Sequence, residues 1–271
     1  LIFSQHDISE WNSITSLLSP TEIVINKNGN SYASTSGGIL EFDEHVEKFN
    51  FIQFEEGLNY LDLTSITIDS LDRYWVGSAY PRGCLQVYDP DKGLVAFFED
   101  ELISSIKKII IGQDIAFSVY EGIGSGELGI LEFELDELGL PDYKDYYNDI
   151  SDETITEIHD LDIYLDSIYV TTDQGIFVGS ILDNLKFSSN WIKINDDEVL
   201  NHSIRQFIPG ESSFLFGNGH MFKRQNGVLE SYCDGYIGNI IQASIKDDIL
   251  AVLTEKYYHE FIDCDMNTFQ I

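Results

Sequence analysis

Apolar residues in this chain come in short runs broken by clusters of Asn, Asp, Gly and Ser. The arrangement recurs six times: an apolar strand, a turn, a short apolar run, then a polar or Gly break. Within the runs the alternation has period two, as where Gln86 stands between Leu85 and Val87, the mark of a strand with two different faces. No helical heptad run appears, and no apolar stretch approaches the ~18 residues of a membrane span. Aligned on Tyr32, Trp75, Ala116, Tyr169, Phe214 and Leu250, the repeat has intervals of 43, 41, 53, 45 and 36 residues.

A repeat of roughly 40 to 50 residues built only from strands is the period of a β-propeller blade. The pattern predicts an all-β chain, a β-propeller of four-stranded antiparallel blades, with six blades visible and seven if the chain is a fragment. The 271 residues form a single propeller domain on this reading, with blades at 21–57, 58–103, 104–153, 154–201, 202–236 and 237–271. Blade one shows the grammar: Glu22 to Ile25, Ser31 to Ser34, Ile39 to Phe42 and Phe49 to Ile52, with Asn26-Lys27-Asn28-Gly29-Asn30 supplying a tight turn. Blade six is shortest at its end, with only Thr268 to Ile271 expected for a fourth strand. Residues 10–14, with Trp11 and Ile14, read as a closing strand, since a ring of sheets is best completed by pairing across the termini. An opening Leu1 and an end in mid-pattern at Ile271 fit either a removed leader or an excised fragment.

Charge narrows the partners. Asp and Glu number 47 against 15 Lys and Arg, a net charge of -32. Phosphate contact needs Lys and Arg, so nucleic acid is excluded as a partner, and an anionic membrane surface would repel the chain. No membrane insertion of this segment is expected. The acidity reads first as a solvated surface, and second as a supply of oxygens for a hard cation, Ca²⁺ being the one cofactor considered. Cys84, Cys233 and Cys264 include no C-x-x-C. Buried free thiols are the default, with a Cys233–Cys264 bridge open because the two lie in neighbouring repeats.

Blade two carries the most specific stretch, Leu63-Thr64-Ser65-Ile66-Thr67-Ile68-Asp69-Ser70-Leu71-Asp72-Arg73-Tyr74-Trp75-Val76-Gly77-Ser78, followed by Gly83-Cys84-Leu85-Gln86-Val87-Tyr88-Asp89. It resembles the two-component-regulator propeller repeat, with Asp72 in place of the turn Gly and Ser78 in place of Thr. Partial copies run from Asn28 to Asp43 and from Tyr169 to Phe177, so the resemblance covers about 70 residues, and the other blades match in hydrophobic pattern alone. It implies a bacterial extracytoplasmic sensor region or a surface propeller associated with type IX secretion. The location implied is periplasmic, cell-surface or secreted. The motif builds the blade and carries over no catalytic residue.

Other motifs are weak. Gly124-Ser125-Gly126-Glu127-Leu128-Gly129 fits G-x-G-x-x-G, but a strand follows where a dinucleotide site needs a helix. Asp89-Pro90-Asp91-Lys92-Gly93 and the Asn26 to Asn30 turn lack the distal Glu of a calcium loop. No H-E-x-x-H or G-x-S-x-G occurs, and no metal or catalytic residue is assigned. Loops between strands two and three, and between blades, should share the channel face. That face collects Tyr60, Tyr80, Arg82, Glu121, His202, Asn218, His220, Tyr236 and Lys256, whereas the opposite turns hold Asn, Asp and Gly. Tyr, Arg and His anchor recognition sites, so Tyr60, Tyr80, Arg82, His202, His220 and Tyr236 are the candidate ligand-binding residues. The resulting expectation is a non-enzymatic, extracytoplasmic module that holds a protein or carbohydrate on its channel face. The alternative is a propeller-fold glycoside hydrolase or polysaccharide lyase.

Overall fold

The computed structural model describes residues 19–270, apart from 44, 125, 195–203, 227, 234–235, 247–248, 255–256 and 263. The closing strand expected at 10–14 lies outside the described residues, as do His202 and Lys256.

Among the described residues, twenty-four strands form six four-stranded sheets, each made of four consecutive strands. Blade one is β1 (Pro20–Ile25), β2 (Ser31–Thr35), β3 (Gly38–Asp43) and β4 (Lys48–Ile52). Blade two is β5 (Asp62–Ile68), β6 (Tyr74–Tyr80), β7 (Cys84–Asp89) and β8 (Gly93–Glu99). Blade three is β9 (Ile103–Ile111), β10 (Ile115–Gly122), β11 (Leu128–Leu135) and β12 (Pro141–Tyr147). Blade four is β13 (Ile158–Tyr164), β14 (Ser167–Thr172), β15 (Gly175–Ser180) and β16 (Trp191–Lys193), with one 3₁₀ turn, Ser188–Asn190, before its last strand. Blade five is β17 (Ile204–Ile208), β18 (Ser213–Gly217), β19 (His220–Gln225) and β20 (Val228–Ser231). Blade six is β21 (Ile240–Lys246), β22 (Ile249–Thr254), β23 (Tyr257–Ile262) and β24 (Asp265–Gln270), so its fourth strand is longer than the sequence suggested.

Two compact units make up the chain, Leu1–Ile109 and Ile110–Ile271. In the first, Tyr32, Ile39, Leu63, Ile66, Tyr74 and Val76 form a core between blades one and two, with the Tyr32 and Tyr74 rings 4.6 Å apart. In the second, Phe117, Val119 and Ile130 of blade three pack with Leu161, Ile168, Val170 and Phe177 of blade four. Tyr169 meets Phe207 of blade five at 5.1 Å, and Phe214 lines the core shared with Leu250, Val252 and Phe261 of blade six. Tyr32, Tyr169 and Phe214 therefore have one duty: each turns toward the next blade in sequence. Two alignment positions are one residue out of phase. Phe117 rather than Ala116 faces blade four, and Leu250 faces back to blade five. A one-residue slip exchanges the faces of a strand, and an apolar residue on either side hides the slip from a hydrophobicity count.

The turns at the far end of these sheets hold Asn, Asp and Gly as expected, and their side chains are bonded. Asp69 is buried; its Oδ1 accepts hydrogen bonds from the Leu71 and Arg73 amides, and its Oδ2 from Arg73 Nε at 2.6 Å and Trp75 Nε1 at 3.0 Å. Trp75 is wholly buried, and Arg73 sits inside the protein rather than at a turn surface. Asn26 does the same for blade one, with Oδ1 taking the Asn28 and Asn30 amides while Nδ2 donates to the Tyr32 hydroxyl. In Asp89-Pro90-Asp91-Lys92-Gly93, Asp89 Oδ1 takes the Asp91 amide and Oδ2 takes Lys92 Nζ. These side-chain oxygens are engaged in closing turns.

The cysteine default is corrected. Cys233 and Cys264 are joined as a disulfide, tying the segment after β20 to the turn between β23 and β24, while Cys84 is a buried thiol. Burial pushes the Cys84 pKa up to about 12, against a hydrogen bond with Ser78 Oγ that lowers it.

Candidate functional site

In a four-stranded meander, the turns between strands two and three and the connections to the next blade leave from the same end of the sheet. The candidate residues that are described lie there. Tyr60 is in the β4–β5 connection, Tyr80 ends β6, Arg82 is in the β6–β7 turn, His220 opens β19, and Tyr236 is in the β20–β21 connection. Glu121 lies near the end of β10 and Asn218 in the β18–β19 turn.

The first unit brings together Tyr60, Arg82 and a set of carboxylates. Gln86, wholly buried, accepts from the Asn59 and Tyr60 amides and donates to the Tyr60 carbonyl, which fixes the segment that presents Tyr60. The Tyr60 hydroxyl donates to Glu99 Oε2 at 2.7 Å, and its ring lies edge-on to Phe97. That carboxylate holds the phenol pKa above its ordinary value by favouring the protonated form. Arg82 Nη1 stands 4.0 Å from Glu101 Oε1, a solvated pair that leaves most of the guanidinium open. Tyr80 is 73% exposed and precedes a cis peptide at Pro81.

In the second unit, Asn218 and Gly219 both take positive φ, 49° and 78°, the two-residue hairpin turn that an Asn-Gly pair favours. The Tyr236 ring lies over this turn. A Cβ at Gly219 would run into the ring, and the Ile237 amide donates to the Gly219 carbonyl at 2.9 Å. His220 meets Tyr236 edge-on with ring centroids 5.9 Å apart, and 66% of Tyr236 remains exposed. Beside the pair is a cavity of about 370 Å³ lined by Arg205, Phe216, Gly217, Asn218, Gly219, Asn239, Ile240 and Ile241. A second cavity of about 440 Å³, at the same end of blades three and four, is lined by the carboxylates Glu127, Asp152 and Glu153 together with Asn148 and Ser151.

Sequence reasoning passed over Arg205 and Asn239. Arg205 is the extra residue of a β-bulge: Ile204 pairs with Gly217 and Gln206 with Phe216, leaving Arg205 outside the ladder. A bulge has no compositional mark, so nothing in the sequence separates this Arg from any other strand residue. Among the described residues, no group of three His, Cys, Asp or Glu side chains is gathered in a way that could hold a metal. No helix among them is long and apolar enough to cross a membrane.

No protein-family profile and no curated protein matches the chain. Solved structures do. PorZ, an essential bacterial surface component of the type IX secretion system of Porphyromonas gingivalis, superposes with a TM-score of 0.70 at 15% identity, over 96% of this chain and 34% of PorZ. The extracellular domains of two putative hybrid two-component systems from B. thetaiotaomicron follow. One has a TM-score of 0.67 at 14% identity over 94% of this chain, and the other 0.65 at 13% over 93%. The chain spans about a third of each of these proteins: 34%, 35% and 36%. The likeness shows the fold, an all-β propeller of four-stranded antiparallel blades. These three are of the two types that the Leu63 to Ser78 motif resembles, a type IX secretion surface component and two-component sensor domains.

Proposed function

We propose that this chain is a non-enzymatic, extracytoplasmic binding module, a sensor or surface-interaction propeller. It takes a carbohydrate or protein partner at the blade ends that carry Tyr60, Tyr80 and Arg82 in the first unit, or at those that carry His220 and Tyr236 in the second. The observation that carries the reading is the cavity beside the edge-on His220 and Tyr236 rings, in which Arg205, Asn218 and Asn239 supply polar groups and Ile240 and Ile241 apolar wall. A few polar groups converging on an apolar concavity of several hundred Å³ is the usual form of a ligand site. Aromatic rings immobilised from behind, as Tyr236 is by Gly219, lose little entropy on binding. The Cys233–Cys264 disulfide fits an oxidising compartment, and the similar proteins are described as surface or extracellular. With 47 acidic residues, nucleic acid is not a partner on this reading.

The test is a screen of soluble polysaccharides and candidate surface proteins by amide chemical-shift mapping, with released reducing or unsaturated sugar ends assayed in parallel. Shifts at Tyr60, Tyr80, Gly219, His220 and Tyr236 without released ends are expected. Shifts confined to the Asp69 to Arg73 and Asp89 to Gly93 turns would place binding at the wrong end, and released ends would make the chain an enzyme.

A further inference from the structure

Five of the six first strands carry a bulge at the same place. Thr21, Thr64, His159, Arg205 and Ile241 are each skipped in the pairing of β1, β5, β13, β17 and β21 with the strands beside them. A bulge leaves one residue out of the ladder and re-aims its side chain. What occupies the position decides what the bulge does. In blades one and two it is Thr, and the hydroxyl is spent on the next blade: Thr21 Oγ1 donates to the Leu63 carbonyl, and Thr64 Oγ1 to the Ile106 carbonyl. In blade five that latch moves one residue along. Gln206 donates from Nε2 to the Ala243 carbonyl and accepts the Ala243 amide at 2.7 Å, as Glu22 accepts the Ile66 amide in blade one. The bulged residue is thereby released from holding blades together, and it is an arginine.

From this we infer that Arg205 is the specificity-determining residue of the cavity, and that the ligand taken there is a small molecule bearing a carboxylate. Arg205 is exposed and forms no ion pair among the described residues, in a chain where Lys and Arg total 15 against 47 acids. It lines the cavity with Ile241, the bulged residue of blade six, with Asn239, and with Asn218, whose amide can donate to a second oxygen or to a neighbouring hydroxyl. Among the described residues no Asp or Glu lines this cavity, whereas three line the cavity at blades three and four. A guanidinium fork meets a carboxylate bidentately, and it does so best where no protein carboxylate competes. A cavity of about 370 Å³ suits a small molecule rather than a folded partner.

The inference rests on the binding reading, and the experiment separates the two. Succinate and succinamide, alike in shape and differing in charge, are titrated into the chain at matched ionic strength while the amides of Gly217, Gly219 and Asn239 are followed. Succinate is expected to move these amides and saturate, and succinamide to leave them still. Arg205→Gln should weaken succinate by at least about tenfold, the loss of one charge-assisted pair, with Arg205→Lys intermediate and Lys48→Gln, at an exposed position of β4, equal to the parent. Parent affinity in Arg205→Gln overturns the assignment. Equal shifts by both probes keep the site but overturn the carboxylate class. Succinate shifts at Tyr60 to Arg82 instead keep the binding reading and overturn the role of Arg205. No movement of any of these amides at about 10 mM succinate overturns the inference, and the ligand screen described above then decides the binding reading separately.

Discussion

Asp69 shows how much of blade two hangs on one side chain. Its carboxylate is buried and takes four hydrogen bonds, two from backbone amides, one from the Arg73 guanidinium and one from the Trp75 indole. The desolvation of one charge is thus met by an opposite charge and three further donors, which is the condition under which a buried ion pair is tolerated. The spacing of six between Asp69 and Trp75 is matched by Asn26 and Tyr32, where the bond runs from amide to phenol. That pairing gives the repeat motif a physical reason: the turn residue orients a buried aromatic of the second strand. Asp69→Ala removes the carboxylate that meets the buried Arg73 charge and should cost about 3 to 5 kcal/mol. Trp75→Ala should cost a similar amount through its cavity. Asp91→Ala, at an exposed position in another turn, should be near neutral. Urea unfolding reads all three. An Asp69→Ala midpoint equal to that of Asp91→Ala would show the pair to be ornamental.

At the scale of elements, strand positions were legible because a blade strand is half-buried and its turns need particular residues. Ser31–Thr35, Ser167–Thr172 and Ser213–Gly217 fall within a residue of where alternation and Asn, Asp or Gly breaks put them. Three things were not legible. Bulges add a residue without changing composition, so the re-aiming of Arg205 was hidden. Phase was lost at Ala116 and Leu250, where both neighbours are apolar. Disulfide connectivity depends on Cα distance, and Cys233 and Cys264 come to 5.1 Å only through the packing of blade six on blade five. The bridge closes a loop with a sequence separation of 31, for which chain-entropy arguments give about 2 to 4 kcal/mol. Cys233→Ser with Cys264→Ser should lower stability by that amount. Dithiothreitol should lower the parent equally and leave the double variant unmoved, since the Cys84 thiol is buried with its pKa near 12 and offers no thiolate for exchange. A double variant as stable as the oxidised parent would show that packing alone sets the geometry.

For the whole molecule the dominant quantity is charge. Even if all 15 Lys and Arg were paired, 32 carboxylates would remain, since 47 less 15 is 32. Several of the pairs among the described residues are solvated: Lys27 with Asp72, Arg82 with Glu101, and Lys144 with Glu134. Such pairs contribute about 0 to 1 kcal/mol each and weaken in salt. Repulsion among the surplus carboxylates acts the other way, because folding concentrates them on one surface and destabilises the compact state. The two effects give opposite salt dependences, and the count decides between them, with a handful of weak attractions against 32 unbalanced charges. Screening lengths fall from about 30 Å at 0.01 M to about 10 Å at 0.1 M, so the repulsion is largely removed across that range. Tm should therefore rise with sodium chloride from 0.01 to about 0.1 M and flatten beyond it. Calcium at equal ionic strength should add little if the acidic surface is only solvated, and a separate saturable rise if some of those carboxylates form a site. A Tm that falls with sodium chloride would mean that ion pairs, not surplus charge, govern the stability of the fold.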